Sequence, residues 1–169
     1  MIVWLASYPR SGNTLLRIVL KQTMGLGSYS DELLKVGFSE AVSEEFGHLS
    51  RDEPWDSFYK KASASNELYL VKTHRPPRDN QPALYVVRDG RKVCLSYSCY
   101  HQRFTPPPYP SLLDLVVGTD FYGGWSEHFH SWMGRRNTVM VRYEDLVNAS
   151  GTLLQEIAEQ ARYTGEILP

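Results

Sequence analysis

Cysteine is scarce. Only Cys94 and Cys99 occur in 169 residues. They stand five apart in a stretch patterned as helix, where their side chains point in different directions, so a mutual disulfide is not expected. Such a chain suits a reducing compartment, and the expected location is cytoplasmic. An excess of one charge is also missing: 18 basic residues against 19 acidic ones leave a formal net charge of −1. No basic surplus draws the chain to nucleic acid or to an anionic membrane, and neither is expected as a partner. Any anion site has to be built locally. No run approaches the roughly 18 apolar residues of a membrane-spanning helix. The first six residues, Met1-Ile2-Val3-Trp4-Leu5-Ala6, have neither the basic start nor the apolar length of a secretory signal. No acidic cluster suggests a metal. Repeats and low-complexity tracts are absent.

What remains is an ordinary globular composition, 42% hydrophobic and 22% charged. The length suits one domain with one core, taken as residues 1–169. Residues 2–7 are an apolar run too short for a helix and suited to a buried parallel strand. Residues 13–24 follow with helical spacing of Leu15, Leu16, Ile18, Val19 and Leu20. Residues 28–30 read as the cap of a second helix running through Leu34. Residues 43–66 are polar and weakly patterned, and read as loops and short helices. Further strands are expected over 68–72, 83–87 and 138–141. Helices are expected over 92–103, 112–117, 122–133 and 153–163, and residues 105–110 as a proline-rich loop. Strands alternating with helices predict an α/β fold: a parallel central sheet flanked by helices in three layers, P-loop-like. Ligands of such sheets sit beyond the carboxyl ends of the strands.

Four groups of polar residues stand at those ends. Tyr8-Pro9-Arg10-Ser11-Gly12-Asn13-Thr14 joins the first strand to the first helix. Its glycine admits close backbone approach, the helix start offers unpaired N–H groups, Arg10 adds a cation, and Ser11, Asn13 and Thr14 add side-chain donors; together they suit a phosphate. It is not a Walker A loop, because Asn13 stands at the lysine position. Lys72-Thr73-His74 ends the second expected strand. A histidine there could act as a general base, and at its ordinary value of about 6.5 it would stop doing so below about pH 6. Arg88 ends the third strand and Ser96 lies two turns into the next helix, an arginine and a hydroxyl that could meet on one phosphate. Tyr143-Glu144-Asp145-Leu146 closes the last strand, with a ring able to stack on a base. Each group also has a plain structural alternative: a tight turn, a surface histidine, a surface arginine, an acidic helix start.

In order and spacing, the four groups together resemble the cytosolic-type sulfotransferases that use 3′-phosphoadenosine 5′-phosphosulfate (PAPS). That family's phosphosulfate loop reads Tyr-Pro-Lys-Ser-Gly-Thr-Thr. Its Lys-Thr-His corresponds to Lys72-Thr73-His74, and its 3′-phosphate segment to Tyr85-Val86-Val87-Arg88 through Ser96-Tyr97. Its Tyr-Gly-x-Trp-x-x-His is similar to the stretch from Tyr122 to His128, with Trp132 also in place. Its Tyr-Glu-Asp-Leu corresponds to Tyr143 through Leu146. The resemblance runs over residues 3–154. It departs at Arg10 (family lysine), at Leu15 (often tryptophan), and in lacking an Arg-Lys-Gly segment before Pro169.

The resemblance implies transfer of a sulfuryl group from PAPS to a hydroxyl acceptor, a small molecule or a glycan, leaving adenosine 3′,5′-bisphosphate (PAP). It implies His74, Lys72 and Arg10 as catalytic groups. Arg10, Ser11, Gly12, Asn13, Thr14, Arg88, Ser96 and Tyr143 would bind the nucleotide, and no metal is implied. The alternatives are a shortened module that holds PAP without turnover and a P-loop kinase, the latter disfavoured by the missing Walker lysine. Trp55, Phe58, Tyr59, Phe104 and Tyr109 either line an apolar acceptor pocket or anchor loops.

Overall fold

The computed structural model describes residues 1–32 and 40–148. The strands are β1 (Ile2–Ser7), β2 (Tyr29–Ser30), β3 (Tyr69–Thr73), β4 (Ala83–Val87) and β5 (Thr138–Arg142). The helices are α1 (Asn13–Met24), α2 (Glu40–Glu45), α3 (Trp55–Ala64), α4 (Gly90–Phe104), α5 (Leu112–Val117), α6 (Trp125–Met133) and α7 (Tyr143–Asn148). All five strands are parallel, in the order β2-β3-β1-β4-β5. This is the expected α/β architecture.

β1 sits in the middle, and all six of its residues are buried because both sheet faces are covered. Its alternating side chains split between two cores. Val3 and Leu5 pack with Leu16 and Leu20 of α1, Leu84, Val141 and Leu146. Ile2, Trp4 and Ala6 pack with Phe58 and Ala62 of α3, Tyr85 and Trp132. A third cluster of Tyr8, Val93, Tyr97 and Leu115 lies among the loop after β1, α4 and α5.

The chain passes from β1 through α1 to β2 on one side, then crosses from β3 to β4 on the other. The strand order therefore reverses at β1, which places a crevice at its carboxyl end.

The structure differs from expectation in three places. Tyr29 and Ser30 form a short parallel edge strand against Val71 and Lys72, with the Ser30 hydroxyl accepting from the Glu32 N–H at 3.3 Å, and the expected helix past Glu32 lies outside the described residues. The Asp31 N–H extends that edge by donating to the Lys72 carbonyl at 3.1 Å. Residues 55–64 form a full helix because Trp55, Phe58, Tyr59 and Ala62 recur at i, i+3, i+4 and i+7, one apolar stripe toward the sheet. α6 starts at Trp125 rather than Tyr122 because Gly123, at φ +73°, breaks the helical path. The helix expected over 153–163 lies outside the described residues. Both cysteines are free.

Candidate active site

The loop after β1 is anchored by Tyr8, fully buried, whose hydroxyl donates to the Gly123 carbonyl at 3.0 Å. The Ser11 N–H closes a turn on the Tyr8 carbonyl at 3.2 Å. Gly12 then enters α1 at φ +110°, a conformation L side chains rarely adopt. A Cβ there would also lie 2.5 Å from the Tyr143 ring. Gly12 is thus required by its backbone and by packing, besides any ligand.

No side chain caps α1. The N–H groups of its first turn, from Asn13 to Leu15, are left for an outside acceptor at the positive end of the helix dipole. Ser11 is buried with an unpartnered hydroxyl, and Thr14 is exposed. The Asn13 side chain is committed elsewhere. Its Nδ2 donates to the Leu5 carbonyl at 2.8 Å and the Ser7 hydroxyl at 3.3 Å. Only its N–H, and not the side-chain donor expected above, faces a ligand position.

Arg10, Arg88, Ser96 and Tyr143 come together beside this loop. Arg10 Nε donates to Ser96 Oγ at 3.4 Å, and Arg88 Nη1 donates to the Arg10 carbonyl at 3.3 Å. The Arg88 guanidinium lies 4.3 Å from the centre of the Tyr143 ring. The Tyr143 ring is therefore held between Gly12 and Arg88.

His74 stands at the end of β3, next to the last residue of β1. Its Nδ1 lies 2.8 Å from the Ser7 carbonyl and 3.2 Å from the Ser7 hydroxyl. A carbonyl only accepts, so Nδ1 carries the hydrogen and Nε2 is left as the basic nitrogen. Burial, assisted by the nearby Lys72 charge, lowers the His74 pKa to about 3. This corrects the ordinary value assumed from sequence: the imidazole stays neutral far below pH 6.

Lys72 forms an ion pair with Glu32 at 2.5 Å, and the other Glu32 oxygen accepts from the Tyr122 hydroxyl at 2.7 Å. Burial works against the Glu32 charge, yet the Lys72 charge and the hydrogen bonds from Lys72 and Tyr122 hold its carboxyl below the usual range. Tyr122 meets the His74 ring edge-on at 5.9 Å. Asp31, whose side chain is fully buried, accepts from Thr73 Oγ1 at 2.7 Å and pairs with Arg75 and Arg78.

Two residues of α6 hold this strand end from behind. The His128 Nε2 donates to the His74 carbonyl at 3.0 Å while its Nδ1 accepts from Tyr85, and Trp132 Nε1 donates to the Arg75 carbonyl at 3.2 Å. Buried and already paired, His128 is lowered to about 4 and acts as a backbone clamp.

Sequence reasoning missed Ser7, Glu32 and the clamp. The resemblance named His128 and Trp132, one helical turn apart, but gave them no role. Trp55, Phe58 and Tyr59 belong to α3 and pack on or beside Trp4 in the core.

The family model for the sulfotransferase domain matches residues 2–164. The chain belongs to the sulfotransferase family. Human sulfotransferase 4A1 is 24% identical over 172 residues, covering 92% of this chain and 58% of its own length. Dog sulfotransferase 1B1 is 25% identical, with 91% and 56% covered. This sulfotransferase domain thus spans somewhat over half the length of those relatives.

Among solved structures it superposes on mouse sulfotransferase SULT7A1 complexed with PAP (TM-score 0.64, 18% identity, 95% of this chain and 57% of that one). It also superposes on retinol dehydratase in a complex with retinol and PAP (TM-score 0.67, 20% identity, 95% and 59%). Both show a shared fold. Among the described residues, no helix is long and apolar enough to cross a membrane, and no group of three or more histidine, cysteine or acidic residues could hold a metal ion.

Proposed function

We propose that this domain transfers the sulfuryl group of PAPS to the hydroxyl of a small-molecule or glycan acceptor in the cytoplasm, without a metal. The observation that carries the proposal is His74: fixed through Nδ1 to Ser7, whose hydroxyl also receives the Asn13 amide from the uncapped start of α1, it keeps Nε2 as its basic nitrogen. The first-turn N–H groups hold the 5′-phosphate. Arg88 and Ser96 hold the 3′-phosphate, and the Tyr143 ring borders the nucleotide. As the acceptor oxygen bonds to sulfur, its proton passes to His74 Nε2. The bond from sulfur to the phosphate oxygen breaks, and PAP departs with that electron pair.

Lys72 is bound to Glu32, so it shapes the field around the base before it touches any ligand. That the structural neighbours include a complex with retinol and PAP supports an apolar alcohol as one acceptor class.

The test is thermal stabilisation by nucleotides, followed by turnover of PAPS across a broad acceptor panel. PAP should stabilise the fold well beyond 5′-AMP, and Arg88→Ala should erase that preference. Equal stabilisation by PAP and AMP would refute the 3′-phosphate site. Tight PAP binding with no turnover on any acceptor would identify a module that only holds the nucleotide.

A further inference from the structure

At the open end of the site stand two cations without a counter-charge. Neither Arg10 nor Arg88 forms an ion pair among the described residues. Each instead lies against an aromatic ring, Arg10 5.1 Å from the centre of Tyr100 and Arg88 4.3 Å from that of Tyr143. The Arg88 Nε is buried with no hydrogen-bond partner. A buried charged donor left unpaired is costly, and two neighbouring guanidinium groups repel. Both costs disappear if a dianion with several acceptor oxygens sits between them.

Arg10 belongs to this pair by its contacts. Ser96 and Tyr100 are four residues apart on α4, hence on one face of that helix, and the Arg10 side chain lies along that face. Its carbonyl in turn receives Arg88. The planar fork of arginine can reach Ser96 and a phosphate together, which the point charge of the family's lysine does less well.

The geometry points to Arg10 as a specificity-determining residue for the 3′-phosphomonoester: with Arg88 and Ser96 it selects a 3′,5′-bisphosphate over a 5′-monophosphate, rather than serving the phosphate at the start of α1. The inference rests on the proposed reading of Arg88 and Ser96.

Calorimetric titration with PAP and with 5′-AMP decides it, on the full chain and on Arg10→Gly and Arg88→Ala. Arg10 sits at φ +66°, so glycine removes the guanidinium while relieving the left-handed backbone. Arg10→Asn also tolerates that backbone and gives the same reading should the glycine variant unfold, as judged by its melting curve without ligand. Loss of one charge-assisted contact predicts a drop in PAP affinity of about 10- to 100-fold, with AMP affinity changed less than about threefold. Parallel weakening of PAP and AMP would overturn the inference by placing Arg10 at the 5′ end. No change in either would overturn it by removing Arg10 from both. If the unmodified chain binds PAP and AMP alike and Arg88→Ala changes neither, the underlying 3′-phosphate reading fails, and Arg10 with it.

Discussion

Around His74 the polar atoms are spoken for. Its Nδ1 is bound to Ser7, its carbonyl to His128, Lys72 to Glu32, and Glu32 to Tyr122, leaving Nε2 without a protein partner among the described residues. Around Arg88 the reverse holds. An unpartnered Nε, two guanidinium groups without carboxylates and an uncapped helix start await something from outside. Under the proposed function the first region would serve proton transfer, which needs one lone pair held in place. The second is an incomplete electrostatic site, which only an anion completes. The two meet at Ser7 and Asn13, where the Asn13 amide reaches back from the phosphate loop to the hydroxyl beside His74.

The strongest way to break this contrast is His74→Ala. A general base contributes about 10²- to 10⁴-fold to the rate, and turnover of PAPS should fall by that much. PAP affinity should stay within about twofold, because the proposed nucleotide contacts lie in the other region. Full turnover in the variant would show that the proton goes elsewhere; an equal loss of PAP binding would show that the two regions are not separate.

Less drastic is Glu32→Ala. It leaves the Lys72 ammonium, only 10% exposed, without its partner. Removing one partner of a fully buried pair costs about 3–5 kcal/mol; with Glu32 19% exposed, about 2 kcal/mol is expected. Urea unfolding reads it out. A change under about 0.5 kcal/mol would mean that water already solvates Lys72 and that this region is as open as the arginine end.

The two regions were unequally legible in the sequence. Although the pairing of β1 with β4 is what brings Arg10 to Ser96 across 86 residues, the phosphate loop lies on one contiguous strand–loop–helix segment and Arg88 and Ser96 lie on another. His74 and Lys72 share no such segment with their partners. Ser7 is 67 residues from His74 and Glu32 is 40 from Lys72, and only the register of β1 and β2 on β3 brings them together. β1 and β4 were readable as apolar runs, whereas a two-residue edge strand such as β2 carries no periodicity. α3 was readable in principle from its aromatic stripe, but its polar flanks masked it. The direction taken by Arg10 depends on a positive φ at a non-glycine residue, which sequence does not announce.

The smallest expected effect is pH. In an unfolded chain the His74 imidazole gains its proton near pH 6.5; in the fold, burial and the Lys72 charge delay this to about pH 3. Between those values the unfolded state binds the extra proton and the native state does not, so His74 makes stability fall as pH drops from about 6.5 toward 3, and contributes nothing to pH dependence above that window. The catalytic consequence is a plateau: the fraction of neutral imidazole hardly changes from pH 8 to pH 5, and turnover limited by His74 should be flat over that range. A rate that halves near pH 6.5 and tracks the ordinary histidine titration would mean that the ring is solvated and Nε2 no more sheltered than Arg10. Lys72→Met sharpens the point. It removes a positive charge that opposes imidazolium while Glu32 remains to favour it, so the acid limb should move upward toward neutrality, visible as a midpoint at higher pH in the His74 ring-proton titration even where no acceptor is at hand.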